Sequence, residues 1–197
     1  MVVFNPTFAM GIDPGLTGGA LCFISPDYSV FELHDLKAKS LEQSAEVIQK
    51  ACLSLWAKYC DLRATSEQRL VGVVETAEGS YGVAHQGKTK QLINVGIAYG
   101  VSTTVFGQSF AQGADIQLAR AKDWKQHFSL TCHRKEGETE SDYTKRKKHA
   151  SKTLAVSKLW CAGAKDASLA LENKRHDFSE AYLLALYALR SDFTEND

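Results

Sequence analysis

The chain has 197 residues, 44% of them hydrophobic and 23% charged, and its 23 basic and 23 acidic side chains cancel. These are the proportions of a folded globular protein, of a length that suits one domain. They exclude a long disordered tail, a membrane span of the ~20 apolar residues a bilayer needs, and attachment to a polyanion by overall charge alone.

Residues 7–13 (TFAMGID) alternate and run into a glycine-rich turn, Pro14-Gly15-Leu16-Thr17-Gly18-Gly19. Residues 20–25 form a short apolar run and 28–34 alternate again, so the three read as strands of an antiparallel meander. Ser40 can cap a helix in which Leu41, Ala45, Ile48, Cys52, Leu55 and Tyr59 recur at steps of three and four. Residues 70–75 (LVGVVE) are apolar enough for a strand buried on both faces. A long helix is expected from Lys88 to about residue 111. Within it Gly96 and Gly100 share one face and would permit close approach of another element. Residues 114–118 predict a fifth strand, 121–128 a short helix, 131–143 a polar surface loop, and 144–160 and 177–190 the last two helices. Three hairpin strands followed by strand–helix alternation imply an α/β fold, a mixed five-stranded sheet with helices on both faces. No repeat or linker divides the chain, so residues 1–197 are expected to be one domain, with a polar insertion around 131–144.

Four carboxylates fall at the ends of these elements. Asp13 closes the first strand and Glu75 the fourth, while Asp177 and Glu180 open the last helix three residues apart, on one side of it. If the first and fourth strands are neighbours, Asp13 and Glu75 emerge together, and a helix crossing there brings in the other two. Such a group repels itself and calls for neutralising cations. Oxygen-rich sites suit Mg²⁺ or Mn²⁺, and two ions ~4 Å apart can drive in-line phosphodiester hydrolysis. Taken singly, each acid also fits a plainer role: a turn former, a strand-end surface residue, or a partner of the helix dipole.

The chain resembles the RuvC-type Holliday junction resolvases of the RNase H-like superfamily, most of all their phage-borne members. The resemblance rests on Gly11-Ile12-Asp13-Pro14-Gly15, Val73-Val74-Glu75 and Gly96-x-x-x-Gly100. It continues through Trp124-Lys125, Lys148-His149-Ala150-Ser151-Lys152 and His176-Asp177-x-x-Glu180-Ala181. It implies an RNase H-like fold with Asp13, Glu75, Asp177 and Glu180 as catalytic metal ligands, Glu180 standing where the bacterial cellular enzymes have aspartate. It further implies paired symmetric nicking of a four-way DNA junction by a homodimer, leaving a 3′-hydroxyl and a 5′-phosphate. A cytoplasmic setting, in a bacterial or phage-infected cell, is expected with it. His176 is a candidate helper that positions water or metal. Where the bacterial enzymes carry an aromatic that probes the junction centre, this chain has Glu78, with Tyr81 three residues later as a candidate substitute.

The charge is unevenly spread. From Arg120 to Lys152 ten Lys/Arg face five Asp/Glu, a local balance of +5, so the remainder carries −5. Lys145, Arg146, Lys147, Lys148 and Lys152 form a dense run suited to phosphates, and Lys88, Lys90 and Lys125 are further candidates for DNA contact. The acidic insertion is expected to stay clear of DNA. Cys22, Cys52, Cys60, Cys132 and Cys161 contain no Cys-x-x-Cys pair and read as reduced thiols. Three other readings compete: a broader branched-DNA or flap nuclease, a junction binder that does not cut, and an actin-like sugar kinase. The last would need a second phosphate loop, which is absent from the sequence, so no nucleotide cofactor is expected.

Overall fold

Alternate side chains of an extended strand leave on opposite faces, so the first strand divides its residues between two layers. The computed structural model describes residues 7–59, 69–76, 86–109 and 114–191. Its first strand, β1 (Thr7–Asp13), turns Ala9, Gly11 and Asp13 to one face and Phe8, Met10 and Ile12 to the other. β2 (Ala20–Ile24) and β3 (Phe31–Asp35) add to one edge as an antiparallel meander. β4 (Arg69–Thr76) lies parallel to β1 on its other side, and β5 (Ala114–Arg120) parallel to β4. The order is β3-β2-β1-β4-β5, the mixed five-stranded sheet that the sequence implies.

Helices α1 (Leu41–Tyr59) and α2 (Gln86–Ser109) cover the Phe8–Met10–Ile12 face. There Phe23 stacks with Phe8, Tyr59 and Phe106. The other face receives α3 (Ala121–His127) and α6 (His176–Ser191), with α4 (Glu140–Cys161) packed on α6 and α5 (Lys165–Glu172) on α4. No described helix is long and apolar enough to cross a membrane.

Three expectations about the elements and their bounds need correction. β3 starts at Phe31, not at residue 28, because Tyr28 takes a left-handed φ of 57° and Ser25 Oγ accepts the Val30 amide, making 25–30 a turn. The 131–144 insertion is not all loop: Thr139 Oγ1 accepts the Asp142 amide as an N-cap, so α4 begins at Glu140. α5 has no counterpart among the helices expected from the sequence; it follows Gly163, whose φ of 81° breaks the chain away from α4, and buries only Ser168 and Leu171.

The tightest packing lies where α6 crosses β1. A Cβ on Gly11 would stand 2.0 Å from the carbonyl oxygen of Ala181 and 2.4 Å from the amide nitrogen of Ala185. The expected close approach at Gly96 and Gly100 is not found: among the described residues nothing lies within 4 Å of a Cβ at either. The two kinds of glycine should therefore respond oppositely to alanine. Gly11→Ala forces two backbones apart and is expected to cost about 3 kcal/mol or more, as severe overpacking does. Gly96→Ala, exposed and helical, is expected to add about 0.8 kcal/mol. Urea unfolding of both variants measures the contrast.

Candidate catalytic site

Parallel pairing of β1 with β4 runs through Ile12 opposite Val74, so Asp13 and Glu75 are next in register at the strands' C-terminal ends. Both share the face that carries Ala9, Val71 and Val73, the face α6 covers. Because α6 is pressed against Gly11, its N-terminal end arrives at the same point with Asp177 and Glu180. The turn after Asp13 closes over the group: the Gly15 amide donates to Asp13 Oδ1 at 3.2 Å, and a Cβ on Gly18 would lie 3.1 Å from Asp177 Oδ2. From the opposite layer, buried Asn94 donates to the Pro14 carbonyl and accepts from the Ser44 hydroxyl, pinning that turn to α1 and α2.

Burial first, then the charges of Glu75, Glu180 and Asp177, raises the Asp13 carboxyl well above the usual carboxylate range. Each of the other acids is held by its own donor. The buried Trp124 indole gives its N–H to Glu75 Oε2 at 2.8 Å. Glu180 Oε1 meets the Lys125 ammonium at 3.3 Å and the Ser151 hydroxyl at 3.2 Å. Asp177 sits between Arg175 Nε at 3.4 Å and His176 Nε2 at 2.9 Å. For Lys125, burial disfavours the charge, but Glu180, then Glu75 and Asp13, outweigh it and raise its pKa. The ammonium therefore stays charged inside the acidic group.

Four carboxylates are the donor set that hard divalent cations take, and the strain on Asp13 is the kind a cation relieves. In chemistry the residues fit such an ion. In geometry they are grouped rather than closed: among the described residues no three acid, imidazole or thiol groups converge as a ready metal shell.

Of the basic candidates, Lys125, Lys147 and Lys148 line one cleft of about 340 Å³ that also reaches His176, Ser151 and Glu180. Arg146 turns away from it, forming a bidentate pair with Glu138 (Nε–Oε1 and Nη2–Oε2, each 2.8 Å). Lys152 donates to the Lys174 carbonyl at 3.0 Å, and exposed Lys145 lies 3.8 Å from Asp142. Lys90 is exposed on α2, in the layer over the opposite sheet face. Tyr81, Glu78 and Cys60 lie outside the described residues, as does the side chain of Lys88; the four described cysteines are free. Sequence reasoning missed Arg175 and the contacts of Trp124 and Ser151 with the acids. Arg175 had a local signal, two residues before Asp177; no spacing rule joins Trp124 to Glu75.

No family model matches the sequence, and no curated protein matches it. Among solved structures, the fold is similar to RuvC of T. thermophilus in complex with a Holliday junction substrate, at 14% identity and a TM-score of 0.55, covering 96% of this chain and 97% of that one. It is also similar to the yeast mitochondrial Holliday junction resolvase, at 12% identity and a TM-score of 0.46, covering 95% and 80%. The first likeness shows that this chain shares its fold with that RuvC.

Folding buries Asp13 and sets it among like charges, so the folded state favours its neutral form. The resulting cost appears as pH rises above the unfolded pKa of about 3.9 and is absent below it. In the presence of a chelator, Asp13→Asn is expected to raise the melting temperature at pH 8, with the gain vanishing toward pH 3. A variant that melts at or below wild type at pH 8 would contradict this.

Proposed function

We propose that the protein is a structure-selective endonuclease, dependent on Mg²⁺ or Mn²⁺, that resolves four-way DNA junctions as a homodimer by paired symmetric nicks in recombination or repair. The observation that carries this reading is the gathering of Asp13, Glu75, Asp177 and Glu180 at the ends of two central parallel strands, beside a lysine-lined cleft. The fold is shared with a RuvC solved on a Holliday junction substrate, which favours branched DNA as the partner.

In this reading the four carboxylates hold two ions. When bound, the ions supply activation of water and stabilisation of the leaving oxygen in an in-line displacement. Asp13 and Glu75, on adjacent strand ends, are the rigid half of the donor set, and Trp124 orients Glu75 through its indole N–H. Asp177 and Glu180 approach from α6, with His176 and Arg175 orienting Asp177. Lys125, 3.3 Å from Glu180, would meet a phosphate oxygen of the bound backbone. Lys147 and Lys148 hold the backbone beside the scissile bond, so binding should weaken steeply with salt.

Asp13→Asn and Glu75→Gln are each expected to lower the cleavage rate about 10³-fold, the scale of several kcal/mol of transition-state stabilisation removed, with junction affinity nearly unchanged. End-labelled four-way junction, flap and linear duplex, with and without Mg²⁺, provide the measurement. Metal-dependent paired nicks confined to the four-way junction are the expected result. Equal cutting of flap and junction would replace the resolvase reading with a broader branched-DNA nuclease. Tight junction binding without cutting would leave a non-cleaving binder, and normal cleavage by Asp13→Asn would overturn the site.

A further inference from the structure

The lysine-lined cleft has two walls. One is α3 and α4, carrying Lys122, Lys125, Lys147 and Lys148; the other is the start of the insertion, at Leu130, Thr131 and Cys132. The second wall belongs to a stretch, residues 130–139, with no helix or strand to hold its shape. Its shape comes from α4 instead. The Tyr143 hydroxyl donates to the Cys132 carbonyl at 2.7 Å. Arg146 donates to the His133 carbonyl at 3.0 Å and grips both oxygens of Glu138. Glu138 in turn accepts the Lys135 amide at 3.0 Å. The Glu138 side chain keeps only 12% of its surface, and the hydrogen bonds from Arg146 and Lys135 hold its carboxyl down at about 2, so it stays ionised at any working pH. The same α4 turn aims Lys147, whose ammonium lies 4.2 Å from the centre of the Tyr143 ring.

We propose that residues 130–139 form one wall of a phosphodiester-binding cleft beside the carboxylates, and that Arg146, through Glu138, is a positioning residue that holds this wall in place. The inference rests on the nuclease reading above and names a subsite within it. It reassigns Arg146 from DNA contact to scaffold and gives the acidic insertion a part in DNA binding. The cleft chemistry selects the ligand class. The four ammonium groups outnumber the one carboxylate at its inner end, Glu180, which Lys125 already balances. The hydroxyls of Thr131, Thr144 and Ser151 add neutral donors, and about 340 Å³ gives room for a single phosphodiester with its sugar.

The two roles of Arg146 predict opposite signs at Glu138. If Arg146 touched DNA directly, removing the neighbouring negative charge would leave affinity unchanged or tighten it. If the pair positions the wall, Glu138→Gln weakens binding although it removes a negative charge. The experiment is fluorescence anisotropy of a labelled four-way junction in EDTA, over a salt series, with wild type, Glu138→Gln, Arg146→Gln and the double variant. The expected result is about tenfold weaker binding for each single variant, the scale of removing one charge-assisted hydrogen bond. The double variant should be no worse than Arg146→Gln alone, since both break the same pair. Melting curves of each variant separate opening of the clamp from unfolding of the domain, and the double variant keeps the net charge. Unchanged or tighter binding by Glu138→Gln, or additive effects in the double variant, would overturn the inference and leave the nuclease reading standing. Failure of wild type to bind any branched or linear DNA would remove both.

Discussion

The contact between α6 and β1 at Gly11 is the constraint on which the rest of the site depends. With hydrogen as its side chain, residue 11 lets the helix backbone at Ala181 and Ala185 rest directly on the central strand. Strand alternation then places Asp13, two residues on, toward the same helix. The N-terminal end of α6 must pass over the strand end, which delivers Asp177 and Glu180 to it. A helix held a side chain's thickness farther out would leave two acids on the sheet and two in solvent.

Concentrating four carboxylates has an electrostatic cost, and the surroundings meet it acid by acid. Trp124 serves Glu75, Lys125 and Ser151 serve Glu180, and Arg175 with His176 serves Asp177. Asp13 receives one backbone amide and bears both its burial and the charges of its three neighbours. The partners come from α3, α4 and the start of α6, so the whole helical layer on that sheet face supports the acids. In chemical terms the group is balanced by donors of the protein itself, the Lys125 ammonium and the Arg175 guanidinium among them.

The basic residues of 120–152 separate by role once the fold is considered. Lys125, Lys147 and Lys148 face one cleft, while Arg146 and Lys152 are engaged in holding the chain to itself. Charge density along the sequence located the region. The helical turn decided which side chain faces the cleft, because neighbours on a helix point about 100° apart.

The order of elements, the mixed sheet and the four acids were legible in the sequence, since each follows from local signals: alternation in residues 7–13, the apolar run 70–75, and Asp177 and Glu180 spaced to share a helix side. Boundaries were less legible where a single backbone conformation intervened, as at Tyr28, or a cap did, as at Thr139. α5 escaped notice because eight residues with two buried positions carry too little periodicity to stand out. Gly96-x-x-x-Gly100 and Gly11 look alike as a chance for close packing, yet of these only Gly11 has a helix against it among the described residues. The pairings of Trp124 with Glu75 and of Arg146 with Glu138 likewise belong to the tertiary structure. Sequence determines which side chains an element presents and on which of its faces. Which element meets that face depends on strand register and helix crossing, and those are set by the packing of residues far apart in the chain.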